Sequence, residues 1–220
     1  MSDLISVIIP AYKGAKYIGE TIEAINKQNM NTEIIVVDDC SPDNTAEIAQ
    51  KLGCRIVRHE KNQGQVAGRN TGINVAEGKY IIFNDQDDVM RDGALRRLYD
   101  ELNSDEKASA VMAKLQDYLS DDITKETSVR DEPYYGLLSG AVLFKSGIFK
   151  IIHPFKSDSH LDAGEMILLQ HQMEINHMVM RKIDFISTNR RIHDNNFGRQ
   201  GQKKEFQDYA SLLRAKLAKK

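Results

Sequence analysis

The sequence predicts an α/β fold: a Rossmann-like, mostly parallel sheet flanked by helices, with a C-terminal amphipathic helix at its end. Three observations carry that reading. Short runs rich in β-branched residues recur at the interval of βαβ units. The stretches between them place apolar residues on one helix face. Three of the first four runs end in polar groups, as strands do where ligands gather beyond the carboxyl edge of an open parallel sheet.

In order along the chain, ISVIIPAY (5–12) reads as the first strand and EIIVVDD (33–39) as the second. CRIVR (54–58) is a weaker strand and YIIFND (80–85) a clear one. Their near-continuous apolar content suits a sheet covered on both faces. Between the first two, KYIGETIEAINKQ sets Ile18, Ile22 and Ile25 on one helix face. In SPDNTAEIAQKLG, Ser41 is the expected N-cap, Pro42 the first helical residue and Gly53 the stop. Residues 65–76 and 92–103 read as two more helices, the latter with Asp92 as a cap and Leu95, Leu98 and Leu102 along one side. Further on, AVMAKLQDYL (110–119), GAVLFK (140–145) and KIDFIS (182–187) read as strands, EMILLQHQMEI (165–175) as a helix and SDDITKETSVRDEP (120–133) as a loop. Phe206, Tyr209, Leu213 and Leu217 mark the terminal helix. This divides the chain into one domain over 1–198 and a C-terminal arm over 199–220.

Bulk properties narrow the function. A chain of 220 residues with 41% hydrophobic and 28% charged residues falls in the ordinary globular range. A formal net charge of −2 argues against a wholesale nucleic-acid binder. Two cysteines, Cys40 and Cys54, imply no disulfide framework and suit a reducing, cytoplasmic setting. The opening MSDLISVIIPAYKG lacks the basic flank of a signal peptide, and no stretch approaches the length of a membrane span. Residues 199–220 hold seven Lys or Arg against two Asp or Glu, a basic arm that is either a solvated helix face or a peripheral contact for an acidic partner or the inner membrane face.

The chemistry concentrates in YIIFNDQDDVM (80–90), where a buried strand runs into Asp85, Asp87 and Asp88. Carboxylates converging on one edge repel unless a metal, a cationic side chain or a ligand donor neutralises them. Hard divalent ions such as Mg²⁺ and Mn²⁺ favour such oxygens and leave room for substrate phosphates. Simple capping of the following helix is the competing explanation. A second cluster, NQGQVAGRNTGINVAEG (62–78), carries Arg69 among small and neutral residues, as in a helix packed tightly beside a site with an arginine reaching a phosphate or carboxylate.

In order and spacing, ISVIIPAYKGAKYIGETI, EIIVVDDCSPDNT, NQGQVAGRNTGI and YIIFNDQDDVM resemble the motifs of the family 2 glycosyltransferases, which have the GT-A fold. The resemblance covers roughly residues 4–103 and continues more loosely through GAVLFKSGIF, LDAGEMILL and RRIHDNN. It implies a nucleotide-binding half over about 1–103, an acceptor half over about 104–198, and transfer of a sugar from a nucleotide diphosphate, usually UDP, with inversion. Carried over by position, the backbone of Pro10, Ala11 and Tyr12 together with Asp39 would hold the uracil. Arg69 would lie near the base or ribose and Asp85 would approach the ribose. Asp87 would bind the Mn²⁺ or Mg²⁺ that bridges the two phosphates. His193 matches a late histidine that serves the metal or the diphosphate, and Arg190 and Arg191 beside it would add positive charge.

An inverting transfer also needs a general base. Where relatives carry an acidic pair, this chain has HLDAGEMILL, so Glu165 is the first candidate and Asp162 the second. Cys40 stands where many relatives have glycine. The implied partners are a UDP-sugar donor, a carbohydrate, lipid-linked sugar or peptide acceptor, and a second copy of the chain as a homodimer. Two other readings stay open: a nucleotidyltransferase of similar fold, and a non-catalytic nucleotide-sugar-binding protein.

Overall fold

The structure is a computed structural model that describes residues 3–124, 127–136, 140–152, 165–194 and 196. The expected terminal helix and Asp162 lie outside the described residues.

The elements run β1 (Ile5–Ala11), α1 (Ile18–Asn26), β2 (Thr32–Asp38), α2 (Thr45–Lys51), β3 (Arg55–Arg58), α3 (Gln65–Val75) and β4 (Tyr80–Phe83). They continue with β5 (Val89–Met90), α4 (Ala94–Asn103), β6 (Ala108–Leu119), β7 (Tyr134–Tyr135), β8 (Val142–Lys145), a 3₁₀ turn (Ser146–Lys150), α5 (Glu165–Ile175) and β9 (Val179–Ile192). All the strands join one sheet in the order β3-β2-β1-β4-β8-β6-β9-β5, with β7 paired to β6. The first four strands are mutually parallel; β8 runs against both β4 and β6, and β6 is parallel to β9. The carboxyl ends of β1, β2, β4, β6 and β9 therefore share one edge, where an open sheet of this kind binds its ligands.

Side-chain alternation along the strands splits the core into two layers. Val7, Ile9 and Val36 face α1 through Ile18, Ile22 and Ile25, and α4 through Leu95, Leu98 and Leu102. Ile8 faces the other way, toward Phe83, Phe144 and Phe149, the α5 residues Leu169 and Met173, and the α3 residues Val66 and Ile73. The three phenylalanine rings pack edge to face, with centroids 5.5 to 6.1 Å apart.

The small residues of α3 have a steric cause. A Cβ on Gly72 would stand 2.3 Å from Ile8 Cγ2, and one on Gly68 would stand 2.9 Å from Pro10 Cβ. The helix thus lies directly on β1, which is how Arg69 comes to be buried beside the strand ends. Gly72→Ala is expected to destabilise the protein by about 1–3 kcal/mol through overpacking, although alanine is the better helix former. A urea titration checks this; an unchanged midpoint would contradict the close helix–strand contact.

Two expected caps fall elsewhere. The helix after β2 begins at Thr45, not after Ser41. Ser41 is occupied otherwise: its hydroxyl accepts the Lys13 N–H at 3.1 Å, and its own N–H donates to Asp38 Oδ1 at 3.1 Å. Likewise α4 starts at Ala94 behind a left-handed Gly93 (φ 74°), so Asp92, expected as its cap, lies one residue outside it. Gly53, at φ 83°, ends α2 as expected. Among the described residues no helix is long and apolar enough to cross a membrane.

Candidate active site

The loops after β1, β2 and β4 are laced together before any side chain meets a ligand. The Asp39 N–H donates to Ala11 O at 2.8 Å. Gln86 pairs both ways with the Tyr12 backbone, accepting its N–H at 2.9 Å and donating to its carbonyl at 3.1 Å. Pro10 and Ala11 are buried in β1, whereas the Tyr12 side chain is exposed.

Asp39 is buried and held from three directions. Oδ1 accepts His59 Nδ1–H at 2.7 Å and the Gln63 N–H at 2.8 Å, and Oδ2 accepts the Gly64 N–H at 2.7 Å. The other ring nitrogen of His59 lies 2.9 Å from Thr71 Oγ1 on α3, which fixes the plane of the imidazole. No metal-ligand spacing marks His59 in the sequence; the signal it carries is its position directly after β3, at the ligand edge. The next residue, Cys40, sits at φ 62°. That left-handed conformation costs glycine nothing, so the cysteine carries a small strain that a glycine would not.

Arg69 is fully buried on α3 and donates from Nη2 to Asp85 Oδ1 at 3.3 Å, while Gln65 Nε2 donates to the same oxygen at 2.9 Å. Burial pushes the guanidinium below its ordinary pKa and the Asp85 charge pulls it back up. Arg69 and Asp85 thus stand at the sheet edge as a pair.

Asp87 meets His193, with Oδ2 2.8 Å from His193 Nε2. Both side chains are mostly buried, and Asn196 braces the pair, its Oδ1 accepting the His193 N–H at 2.5 Å and its Nδ2 reaching Asp87 Oδ2 at 3.5 Å. The His193 ring also packs against Tyr17, centroid to centroid 4.8 Å. Asp88, grouped with these carboxylates by sequence, does a different job. It is buried, and its Oδ1 accepts the Arg191 N–H at 2.9 Å, so it staples the end of β9 to the loop after β4.

The two arginines before His193 part company. Arg191 is buried between the Tyr17 and Tyr118 rings, at 4.8 and 5.0 Å. Its Nε donates to the Asp87 carbonyl at 3.0 Å and its Nη2 to Glu20 at 2.5 Å. It positions the Asp87 backbone. Arg190 turns instead to Tyr134 and Asp117. Glu165 is the first residue of α5.

Among the described residues no three His, Cys, Asp or Glu side chains form a metal cage. Asp87 and His193 supply one oxygen and one nitrogen, a pair that fits a divalent ion whose remaining positions belong to diphosphate oxygens and water. The edge as a whole offers a fixed carboxylate at Asp39, a cation–carboxylate pair at Arg69 and Asp85, and this two-ligand pair.

The glycosyl transferase family 2 model matches residues 6–163. Glycosyltransferase GlyG of Streptococcus pneumoniae is 38% identical over 124 residues, covering 54% of this chain and 41% of the relative. The chain spans under half the length of the curated relatives it matches. Among solved structures, Staphylococcus aureus TarS 1–349 in complex with UDP-GlcNAc superimposes with a TM-score of 0.68 at 23% identity, covering 87% of this chain and 59% of TarS. Mannosyltransferase PcManGT from Pyrobaculum calidifontis, in complex with GDP-Man and Mn²⁺, gives a TM-score of 0.73 at 16% identity, covering 97% of this chain and 65% of the other. Both share the GT-A fold, and with a family match over most of its length, this chain belongs to glycosyl transferase family 2.

Proposed function

We propose that the chain is an inverting, metal-assisted glycosyltransferase that uses a UDP-sugar. The observation that carries the reading is the convergence of Asp39, Arg69–Asp85 and Asp87–His193 on one sheet edge, each already oriented by its own protein partners. Structures of similar fold were solved with UDP, UDP-GlcNAc and GDP-Man with Mn²⁺, which supports a nucleotide-sugar donor. The basic loop a nucleotidyltransferase would need is not at hand: Lys16 pairs with Asp122 and Lys13 lies over the Tyr12 ring.

In this reading the backbone after β1 and the Asp39 carboxylate grip the base. Among the described residues, the hydrogen-bonding partners of Asp39 are N–H donors, so the carboxylate offers a lone pair. Uracil presents N3–H where cytosine presents a bare ring nitrogen. Arg69 and Asp85 face the base and ribose. Asp87 and His193 would hold Mn²⁺ or Mg²⁺, which when bound would supply neutralisation of the charge that develops on the leaving group. The acceptor oxygen bonds to the anomeric carbon as the bond to the diphosphate oxygen breaks, and the acceptor proton passes to Glu165, with Asp162 as the second candidate. The electron pair of the broken bond leaves on UDP.

Calorimetry with UDP and CDP tests the base assignment. UDP is expected to bind about tenfold or more tightly than CDP, the value of one hydrogen bond to a charged group, and Asp39→Asn to narrow that gap. Equal affinities in the unaltered protein would remove Asp39 from the base site. The reaction is tested by incubating the chain with a panel of UDP-sugars and Mn²⁺ or Mg²⁺ and measuring UDP release. UDP release from none of them would sink the donor assignment.

A further inference from the structure

A second polar cluster stands at the same edge of the sheet, on the face away from Arg191. Consecutive strand residues point to opposite sides, and Arg190 and Arg191 divide accordingly. Arg190 donates from Nη1 to the Tyr134 hydroxyl at 3.3 Å and stands 3.8 Å from Asp117 Oδ1. The Tyr134 hydroxyl donates in turn to Asp117 Oδ1 at 2.8 Å. A second guanidinium, that of Arg130, lies over the Tyr134 ring at 4.1 Å. The carbonyls of Arg130 and Asp131 each accept from Gln116 Nε2 at 3.3 Å, which fastens this stretch to β6.

Three features of the cluster point to a ligand. The first is cationic chemistry: the guanidinium groups of Arg190 and Arg130 both stand against Tyr134, and the nearest carboxylate to Arg190, Asp117, is 3.8 Å away. The second is donor capacity. A guanidinium carries five N–H donors. Among the described residues, the partners of Arg190 take up one hydrogen bond and one longer ion pair, although only 32% of its side chain is exposed. The third is place. Leu115 and Tyr134 belong to the same core layer as Leu169 and Met173 of α5. The cluster therefore lies on the sheet face that carries the helix opening at Glu165, and it sits beside Asp88 at the ends of β6 and β9.

We propose that Arg190 and Arg130, arranged about Tyr134, form an acceptor subsite for an oxyanion, so that the acceptor of this enzyme carries a phosphate or a carboxylate in addition to its reacting hydroxyl. The inference rests on the glycosyl-transfer reading and deepens it. Guanidinium groups match the geometry of both anions through paired N–H bonds. Asp117 is a positioning residue that orients Arg190, and the Tyr134 ring gives Arg130 its platform.

The test separates this subsite from the donor site. Inorganic phosphate is titrated by calorimetry into the full chain already saturated with UDP and Mg²⁺. Saturable binding is expected, weakened about tenfold or more by Arg190→Gln, since a charge-assisted hydrogen-bonding group is lost. Arg190→Lys, which keeps the charge but not the fork, is expected to recover part of it. Acetate in place of phosphate tells the anion classes apart: tighter phosphate binding assigns a phosphate on the acceptor, tighter acetate binding a carboxylate. Phosphate binding that disappears once UDP is present overturns the proposal, because the anion is then occupying the diphosphate site. Equal phosphate affinity in Arg190→Gln, with a lowered Tm, overturns it as well and leaves the cluster as a tie between β6, β7 and β9. If UDP itself fails to bind, the donor reading falls, and the same titration on the free chain, unaltered against Arg190→Gln, still decides the subsite.

Discussion

Asp87→Ala is expected to lower sugar transfer by about 10²- to 10³-fold while leaving the fold intact, the size of effect seen when one group that stabilises developing transition-state charge is removed. The Asp87 side chain is 15% exposed and its main partner is His193 Nε2. Its backbone is held separately, by the Arg191 Nε bond to its carbonyl. Truncation therefore removes a carboxylate without releasing the loop, and circular dichroism and Tm should stay near those of the unaltered protein. Calorimetry supplies the second readout. Mn²⁺ or Mg²⁺ is expected to tighten UDP binding in the unaltered chain, and that gain should vanish in Asp87→Ala. Should EDTA leave UDP affinity unchanged in the unaltered chain, the pair formed by Asp87 and His193 would be a structural clasp and not a metal site. His193→Ala is expected to show the same loss to a smaller degree, because the carboxylate brings charge to the ion and the imidazole brings a neutral donor.

The variant matters because the carboxylates at this edge already have partners. From sequence, Asp85, Asp87 and Asp88 form one acidic patch in need of a cation. In the fold, Asp85 faces Arg69, Asp88 faces the Arg191 N–H, and Asp87 faces His193. One patch resolves into three pairs with different work to do. Spacing along the chain cannot show this, since adjacent residues in a turn point in different directions, and the partners come from α3 and β9, 16 to 106 residues away.

The same distinction governs which elements were legible. β1, β2 and β4 are buried on both faces, so their apolar runs announce them. β3, with both end residues exposed at the edge of the sheet, gives a faint signal. β5 and β7 are two residues each and exist through pairing with β9 and β6, a tertiary fact with no local pattern. β9 was expected over six residues and runs for 14, because β6 pairs with it along its length through register shifts that interrupt the alternation. Its last turn of pairing is what delivers Arg190, Arg191 and His193 to the ligand edge. Ser41 misled as a cap for a similar reason: a hydroxyl suited to capping a helix also suits the Lys13 N–H, and the loop after β1 claimed it.

Glu165→Gln carries the second large expected effect, a fall in kcat of about 10²- to 10⁴-fold with donor affinity little changed, as when a general base is lost. The substitution keeps the shape of the side chain and removes its ability to take a proton. Glu165 opens α5. The Leu169 and Met173 side chains anchor that helix in the core, so the variant should fold. Base and binding roles part in the kinetics. A base that acts only in the transition state changes kcat and kcat/KM together, whereas a residue that merely holds donor or acceptor raises KM. The pH profile gives an independent reading: turnover should decline toward acid as the base becomes protonated, and this limb should be absent from the residual activity of Glu165→Gln. Asp162→Asn, measured beside it, is the control that decides between the two acids. Unchanged turnover in Glu165→Gln together with a collapse in Asp162→Asn would move the proton to Asp162, and unchanged turnover in both would place the base on another element altogether.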